Sequence, residues 1–155
     1  MNVSKISIFA VIVCVSSLGS SSYVTAEVLS IKSDKTSIRL SPDPKGKVLW
    51  ELNTGFPVEL IKKQGDWVQI RDFENDNGWI HKSRISKAST VIVKANKNEE
   101  QSINIRSSPS LNASIVGTAY YGVVFSVLEK KDGWIKVRHD SGLVGWIKSD
   151  LLWGQ

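Results

Sequence analysis

Two histidines and one cysteine are the side chains of this sequence best suited to general-base or nucleophilic chemistry near neutral pH. His81 and His139 stand in no spacing that is typical of a metal site, and Cys14 lies within an apolar N-terminal run. The sequence contains neither a G-x-S-x-G motif nor a glycine-rich phosphate loop. We therefore predict no catalytic residue, no metal and no cofactor, and we expect both histidines to be exposed strand or turn residues.

Tryptophan, present six times, carries more information about binding. From Trp67 to Arg71 apolar and polar residues alternate, which places Val68 and Ile70 on one face of a strand and the tryptophan and arginine on the other. The same parity recurs in three further segments. Aromatic side chains beside arginine are typical of recognition surfaces. The candidate ligand-binding residues are Trp67, Trp79, Trp134, Trp146, Arg71, Arg138 and Tyr121.

These outward tryptophans have a second interpretation. They can pack beneath a long loop or between two domains instead of contacting a ligand. Arg39 and Arg106 are expected to be structural and to bridge a loop carboxylate or carbonyl. Four glycines are expected to need a positive φ or a close backbone approach: Gly55, Gly78, Gly122 and Gly145.

An internal repeat organises the chain. Trp134 lies 67 positions after Trp67, and this offset aligns two halves of the sequence without a gap. It superimposes Gly78-Trp79-Ile80 on Gly145-Trp146-Ile147. Apolar positions and turn residues match as well, so the sequence predicts two copies of one module.

Each copy consists of short alternating segments separated by turn signals, with no helical pattern of useful length. The predicted fold class is all-β, with two tandem small barrels or sandwiches. The apolar stretch 90–93 is predicted to open the second copy, as residues 27–31 open the first. We expect domains at 27–87 and 88–155, with a short linker that lets them touch.

The N-terminus has the organisation of an export signal. Lys5 precedes an apolar run, and Val24-Thr25-Ala26 resembles a cleavage site, so residues 1–26 are predicted to be a signal peptide. The alternatives are a membrane anchor or a buried strand, and lipidation at Cys14. The formal net charge of +5 is compatible with an anionic wall or membrane surface, and also with an ordinary solvated surface. Nucleic acid is not a predicted partner, and no stable membrane insertion is expected after cleavage.

The repeated motifs resemble those of the bacterial SH3-like (SH3b) domain family. The resemblance rests on Ile-Arg followed by Ser-Pro, on Asp/Gly-Trp before an alternating strand, and on Gly-Trp-Ile near the end of each copy. It implies a partly open barrel of five to seven strands and a periplasmic or secreted location. By this resemblance Trp67 with Trp79, and Trp134 with Trp146, line a peptide groove.

Members of that family often recognise peptidoglycan peptides or tether enzymes to the wall. The resemblance therefore implies an exported, non-catalytic binding module for peptidoglycan peptide or a wall-associated protein. Two alternatives remain: a structural or regulatory envelope adaptor with no wall ligand, and an accessory factor to a wall hydrolase. The oligomeric state is not predicted.

Overall fold

The computed structural model describes residues 26–98 and 100–154. The first half forms a seven-stranded antiparallel sheet with strand order β3-β2-β6-β5-β4-β1-β7. Its strands are β1 (Val28–Ile31), β2 (Thr36–Arg39), β3 (Val48–Leu52), β4 (Pro57–Gln64), β5 (Trp67–Arg71), β6 (Asn77–His81) and β7 (Ile85–Ser86). A 3-10 turn, Lys82–Arg84, joins β6 to β7.

The second half repeats this arrangement in the order β10-β9-β13-β12-β11-β8-β14. Its strands are β8 (Thr90–Val93), β9 (Ile103–Arg106), β10 (Ile115–Ala119), β11 (Val124–Lys131), β12 (Trp134–Arg138), β13 (Val144–Lys148) and β14 (Leu152–Trp153). A 3-10 turn, Ser149–Leu151, again precedes the last strand. The predicted all-β fold with two tandem small modules is confirmed.

The offset of 67 residues holds for every equivalent pair of strands except the first, because β8 begins only 62 residues after β1. The loop after β8 is five residues longer than the loop after β1, as 67 minus 62 requires. The stretch 90–93 does open the second module, as the sequence predicted.

The inward residues of the alternating strands form one apolar core in each module. Three positions illustrate this: Val68, Ile70 and Ile80 are buried in the first module, and their equivalents in the second are Ile135, Val137 and Ile147. Removing a side chain of this size from water contributes about 1.5–3 kcal/mol. Burial of these rows therefore decides which face of each strand points inward.

One large difference between the two cores is compensated locally. Gly117 stands where the first module has Trp50, and a Cβ atom on Gly117 would lie 2.7 Å from Leu143 Cδ2. Leu143 in turn aligns with Asp76 of the first module, whose side chain is exposed. In the second module, Leu143 of the β12–β13 loop thus fills some of the space that Trp50 fills in the first.

The four repeat glycines have the two roles that the sequence predicted. Gly55 and Gly122 have φ angles of 81° and 82°, in the left-handed region that disfavours side chains. A Cβ atom on Gly78 would collide with Ile38 Cγ2, and one on Gly145 would collide with Ile105 Cγ2. The last two glycines therefore allow β2 and β9 to approach their neighbours closely.

The two modules contact each other through aromatic and charged side chains. Phe73 lies between Phe56 of its own module and Tyr121 of the second, with ring centroids 5.8 and 5.2 Å apart. Glu74 accepts a hydrogen bond of 2.7 Å from the Tyr121 hydroxyl, and it forms an ion pair with Lys97, whose Nζ lies 2.8 Å from Glu74 Oε1. Both modules therefore contribute to one mixed apolar and polar contact.

The predicted signal peptide, residues 1–26, lies outside the described residues except for Ala26. In the part of the chain that the structure describes, no helix is long and apolar enough to cross a membrane.

Candidate ligand-binding grooves

A groove of about 430 Å³ opens on the first module where β2, β5, β6, the β2–β3 loop and the 3-10 turn meet. We call it the first groove. It is lined by Asp34, Lys35, Thr36, Ser37, Arg39, Pro44, Trp67, His81, Ser83 and Arg84.

Strand register places the aromatic floor of this groove. Trp67 begins β5 and pairs directly with His81, the last residue of β6. Their rings meet edge to face, with centroids 5.5 Å apart and planes at 88°. Trp67 is half-buried, so part of the indole is available to a ligand.

The second module has a groove of about 290 Å³, which we call the second groove. It is lined by Asn96, Ser102, Ile103, Asn104, Arg106, Leu111, Trp134, Lys148 and Leu151. Trp134 is its aromatic residue and is 9% exposed.

The two grooves occupy the same place in the repeat. Shifting by 67 residues carries eight lining positions of the first groove onto eight of the second. The pairs are Lys35 with Ser102, Thr36 with Ile103, Ser37 with Asn104, Arg39 with Arg106, Pro44 with Leu111, Trp67 with Trp134, His81 with Lys148 and Arg84 with Leu151. Only the tryptophan and one arginine are identical, which is why sequence identity alone did not reveal the other members.

The shared arginine fixes the loop beside each groove. Arg39 Nη1 donates a hydrogen bond of 2.6 Å to the carbonyl oxygen of Gly46, and Arg106 Nη1 donates one of 2.8 Å to that of Ala113. Both carbonyls belong to the loop between the second and third strands of a module. The predicted structural role of these arginines is confirmed.

Positive charge predominates in the first groove. Asp34 is its one acidic lining residue, against Lys35, Arg39 and Arg84. Hydrogen bonds from Thr54 hold the pKa of Asp34 below its usual value, so this carboxylate stays charged at neutral pH. The second groove is lined by Arg106 and Lys148 and by no acidic residue.

Trp79 and Trp146 lie on the face away from the core, as their parity predicts, but they are only 8% and 7% exposed. A lysine covers each ring: Lys62 Nζ lies 5.4 Å from the Trp79 ring centroid, and Lys136 Nζ lies 5.8 Å from that of Trp146. A lysine stem shields apolar surface while its ammonium remains in water. Both indoles are therefore about as buried as that of Trp134, and a lysine lies over each of them.

The two covering lysines come from non-equivalent positions. Lys62 belongs to β4, whereas Lys136 belongs to β12 and aligns with Gln69 of β5. Gln69 pairs with Trp79 in the first module, and Lys136 pairs with Trp146 in the second. Neither Trp79 nor Trp146 lines its module's groove, so the structure separates them from Trp67 and Trp134.

The remaining candidates also lie away from the groove linings. Arg71 is engaged by Glu59, with Nη2 2.6 Å and Nε 2.8 Å from Oε2. Arg138 is exposed and has no ion-pair partner among residues 26–98 and 100–154, because Ser126 stands where the first module has Glu59. Tyr121 contributes its ring and hydroxyl to the contact between modules.

The histidines have local roles in turns. His81 Nδ1 lies 2.7 Å from Ser83 Oγ, and His139 Nδ1 lies 2.9 Å from Ser141 Oγ. His139 also packs edge-on against Phe125, with ring centroids 5.5 Å apart. Within the described ranges, no three histidine, cysteine or acidic side chains are grouped so that they could hold a metal ion.

Comparison with known proteins agrees with this architecture. Residues 32–87 and residues 101–152 each match a family described as "Bacterial SH3 domain". The chain belongs to this family and carries two such domains in tandem. Domains of this kind are binding modules.

A protein of Bacillus subtilis (strain 168) named "Putative N-acetylmuramoyl-L-alanine amidase YrvJ" is 27% identical over 128 residues. The match covers 79% of this chain and 24% of that protein. This chain therefore spans about a quarter of the relative's length.

Two solved structures are similar at low sequence identity. NlpC1 from Trichomonas vaginalis is 18% identical with a TM-score of 0.37, covering 88% of this chain and 48% of that one. An NlpC/P60 family protein from Bacillus cereus is 13% identical with a TM-score of 0.38, covering 81% of this chain and 55% of that one.

Proposed function

We propose that this chain is an exported, non-catalytic tandem module that binds peptidoglycan peptide through its two grooves. The observation that carries the proposal is the recurrence of one groove in both modules, with Trp67 and Trp134 at equivalent positions and Arg39 and Arg106 holding the adjacent loops.

The chemistry of the grooves suits this ligand. Each combines an indole with cationic side chains, and wall peptides combine small aliphatic side chains with free carboxylates. Apolar groups gain by contact with the indole, while carboxylates gain by hydrogen bonding to arginine or lysine. The formal charge is +5 for the full sequence and +4 without residues 1–26, which contain Lys5, and this surplus of basic residues favours approach to an anionic wall.

Two grooves in one chain make bivalent binding available. The Phe73–Tyr121 and Glu74–Lys97 contacts hold the modules together, so the distance between the grooves is restrained. A wall polymer that presents many peptides is a repeating target, and binding at one groove raises the effective concentration at the other.

In this proposal Trp67 and Trp134 contact the ligand, whereas Trp79 and Trp146 pack beneath lysine stems. Arg71 stabilises its own sheet through Glu59, and Tyr121 joins the modules. Arg138 is exposed and remains available for a secondary contact with an anionic ligand.

A second candidate function is that of an accessory module to a wall hydrolase. The similarity to the Bacillus subtilis protein favours it, because that protein is named as an amidase and this chain spans about a quarter of its length. An envelope adaptor with no wall ligand is the remaining candidate.

Cosedimentation with purified peptidoglycan tests the proposal. The key variant is the double substitution Ser37→Trp with Asn104→Trp, which fills both grooves from outward positions and leaves the cores intact. Asn77→Trp is the matched control, because it adds the same side chain to an exposed position at the far end of β6.

We expect the wild-type chain and Asn77→Trp to sediment with the wall, and the double variant to bind at least about tenfold more weakly. Circular dichroism establishes that all three are folded. Equal sedimentation of the double variant, or no sedimentation of the wild type, would refute binding through the grooves.

A further inference from the structure

We propose that the two grooves differ in ligand chemistry: Arg84 makes the first groove a carboxylate-recognising site, and the second groove, with Leu151 in its place, does not distinguish a carboxylate from an amide. This inference rests on the proposed function and assigns a distinct specificity to each groove.

Arg84 and Leu151 occupy the same place in their modules. Each is the last residue of a 3-10 turn, which follows β6 in the first module and β13 in the second. The Arg84 carbonyl oxygen accepts a hydrogen bond of 2.8 Å from Lys32 N, and the Leu151 carbonyl oxygen accepts one of 3.0 Å from Lys94 N. Because both backbones are fixed in the same way, the two positions differ in the side chain that each adds to its groove.

The Arg84 guanidinium retains free donors. Its one hydrogen bond to a described residue runs from Nη1 to Ser33 Oγ, at 3.2 Å, and the side chain is exposed. Two parallel N–H groups of a guanidinium match the two oxygens of a carboxylate. Lys35 and Arg39 line the same groove and together outweigh the one carboxylate, Asp34, so the groove as a whole favours a ligand carboxylate.

Two polar positions of the first groove, Thr36 and Arg84, are aliphatic in the second, where Ile103 and Leu151 stand. Leu111 occupies the position of Pro44 and adds a third aliphatic side chain. Its remaining terminal cation, Lys148, has Asp150 Oδ2 at 3.6 Å, which offsets its charge. The aliphatic side chains accommodate a small aliphatic group. Arg106 is the one arginine among the residues that line this groove, and its Nη1 is bonded to the Ala113 carbonyl oxygen, so the groove has no second guanidinium equivalent to Arg84.

Isothermal titration with two probes tests this difference. The probes are a synthetic wall stem peptide with free carboxylates and the same peptide with its carboxylates amidated. The Asn104→Trp chain leaves only the first groove open, and the Ser37→Trp chain leaves only the second. Two exchanges follow: Arg84→Leu in the Asn104→Trp chain, and Leu151→Arg in the Ser37→Trp chain.

We expect the first groove to bind the free acid at least about fivefold more tightly than the amide, as one charge-assisted interaction at an exposed site allows. The second groove should bind the two peptides within about twofold. Arg84→Leu should abolish the preference, and Leu151→Arg should create one.

Equal preference in the two grooves, or a preference that survives Arg84→Leu, would overturn the inference while leaving the proposed function in place. If neither peptide binds to the wild type or to any of the variants, the proposed function itself fails, and the inference fails with it.

Discussion

The hydroxyl of Tyr121 donates a hydrogen bond of 2.7 Å to Oε1 of Glu74, and this bond joins the two modules. Lys97 Nζ lies 2.8 Å from the same carboxylate oxygen. Glu74, a residue of the β5–β6 loop, therefore joins the first module to two residues of the second. This contact restrains the spacing of the two grooves, on which bivalent binding depends.

Tyr121→Phe should weaken this contact while keeping the ring against Phe73. We expect a loss of up to about 1 kcal/mol in the free energy of unfolding, since an exposed hydrogen bond contributes modestly. Urea unfolding measures it. Tyr120→Phe is the matched control, because the Tyr120 ring is 52% exposed and its hydroxyl has no partner among the described residues; an equal loss in both variants would contradict the role of Tyr121.

The stability contributed by Glu74 should depend on pH. The hydrogen bonds from Lys97 and Tyr121 hold the pKa of Glu74 below its usual value of 4.5. A carboxyl with a lowered folded-state pKa contributes stability that is complete above its unfolded pKa and is lost as the pH falls through the folded value. The difference in unfolding free energy between the wild type and Glu74→Gln should thus be constant from about pH 5 to about pH 9 and shrink below about pH 5. A difference that grows on acidification would contradict this.

Arg71→Ala should destabilise the first module, because it leaves Glu59 without its partner. The Glu59 side chain is only 14% exposed, so its unpaired carboxylate is partly desolvated. We expect a loss of about 1–2 kcal/mol in chemical denaturation. Arg138→Ala, at the equivalent exposed position, should change stability by less than about 0.5 kcal/mol. Equal losses would show that the Glu59 contact is not the cause.

Leu143→Ala should destabilise the second module through the space beside Gly117. Leu143 Cδ2 would lie 2.7 Å from a Cβ there, and its side chain packs against the core. Because Leu143 is only partly buried, we expect a loss of about 1–2 kcal/mol, at or below the lower end for leucine-to-alanine changes. Asp76→Ala, at the aligned exposed position, should be nearly neutral. Thermal unfolding of both variants distinguishes these outcomes.

Much of the fold could be predicted because it is encoded locally and twice. The alternation around Val68 and Ile70, and the same pattern around Ile135, specify which faces are buried without knowledge of tertiary contacts. Gly78 and Gly145 stand at equivalent positions of the repeat, and each indicates a place where two strands come too close for a side chain. A repeat makes each such assignment testable against its second copy.

Only part of the candidate site's geometry could be predicted from the sequence, because the rest depends on tertiary contacts. Parity shows that Trp79 faces away from the core, but it does not show that Lys62, two strands away, extends over the ring. The second module achieves the same cover with Lys136, which is not the aligned residue. Likewise, Arg84 and Leu151 differ in chemistry, so only their common place in the fold identifies them as groove residues.

The most direct measurement follows all six indole N–H signals by heteronuclear NMR while a soluble wall stem peptide is added to the intact chain. The signals of Trp67 and Trp134 should shift and saturate together with ligand, while those of Trp50, Trp79, Trp146 and Trp153 stay in place. Saturable shifts confined to the last four, or no saturable shift at any indole, would contradict the claim that the repeated grooves bind the wall peptide.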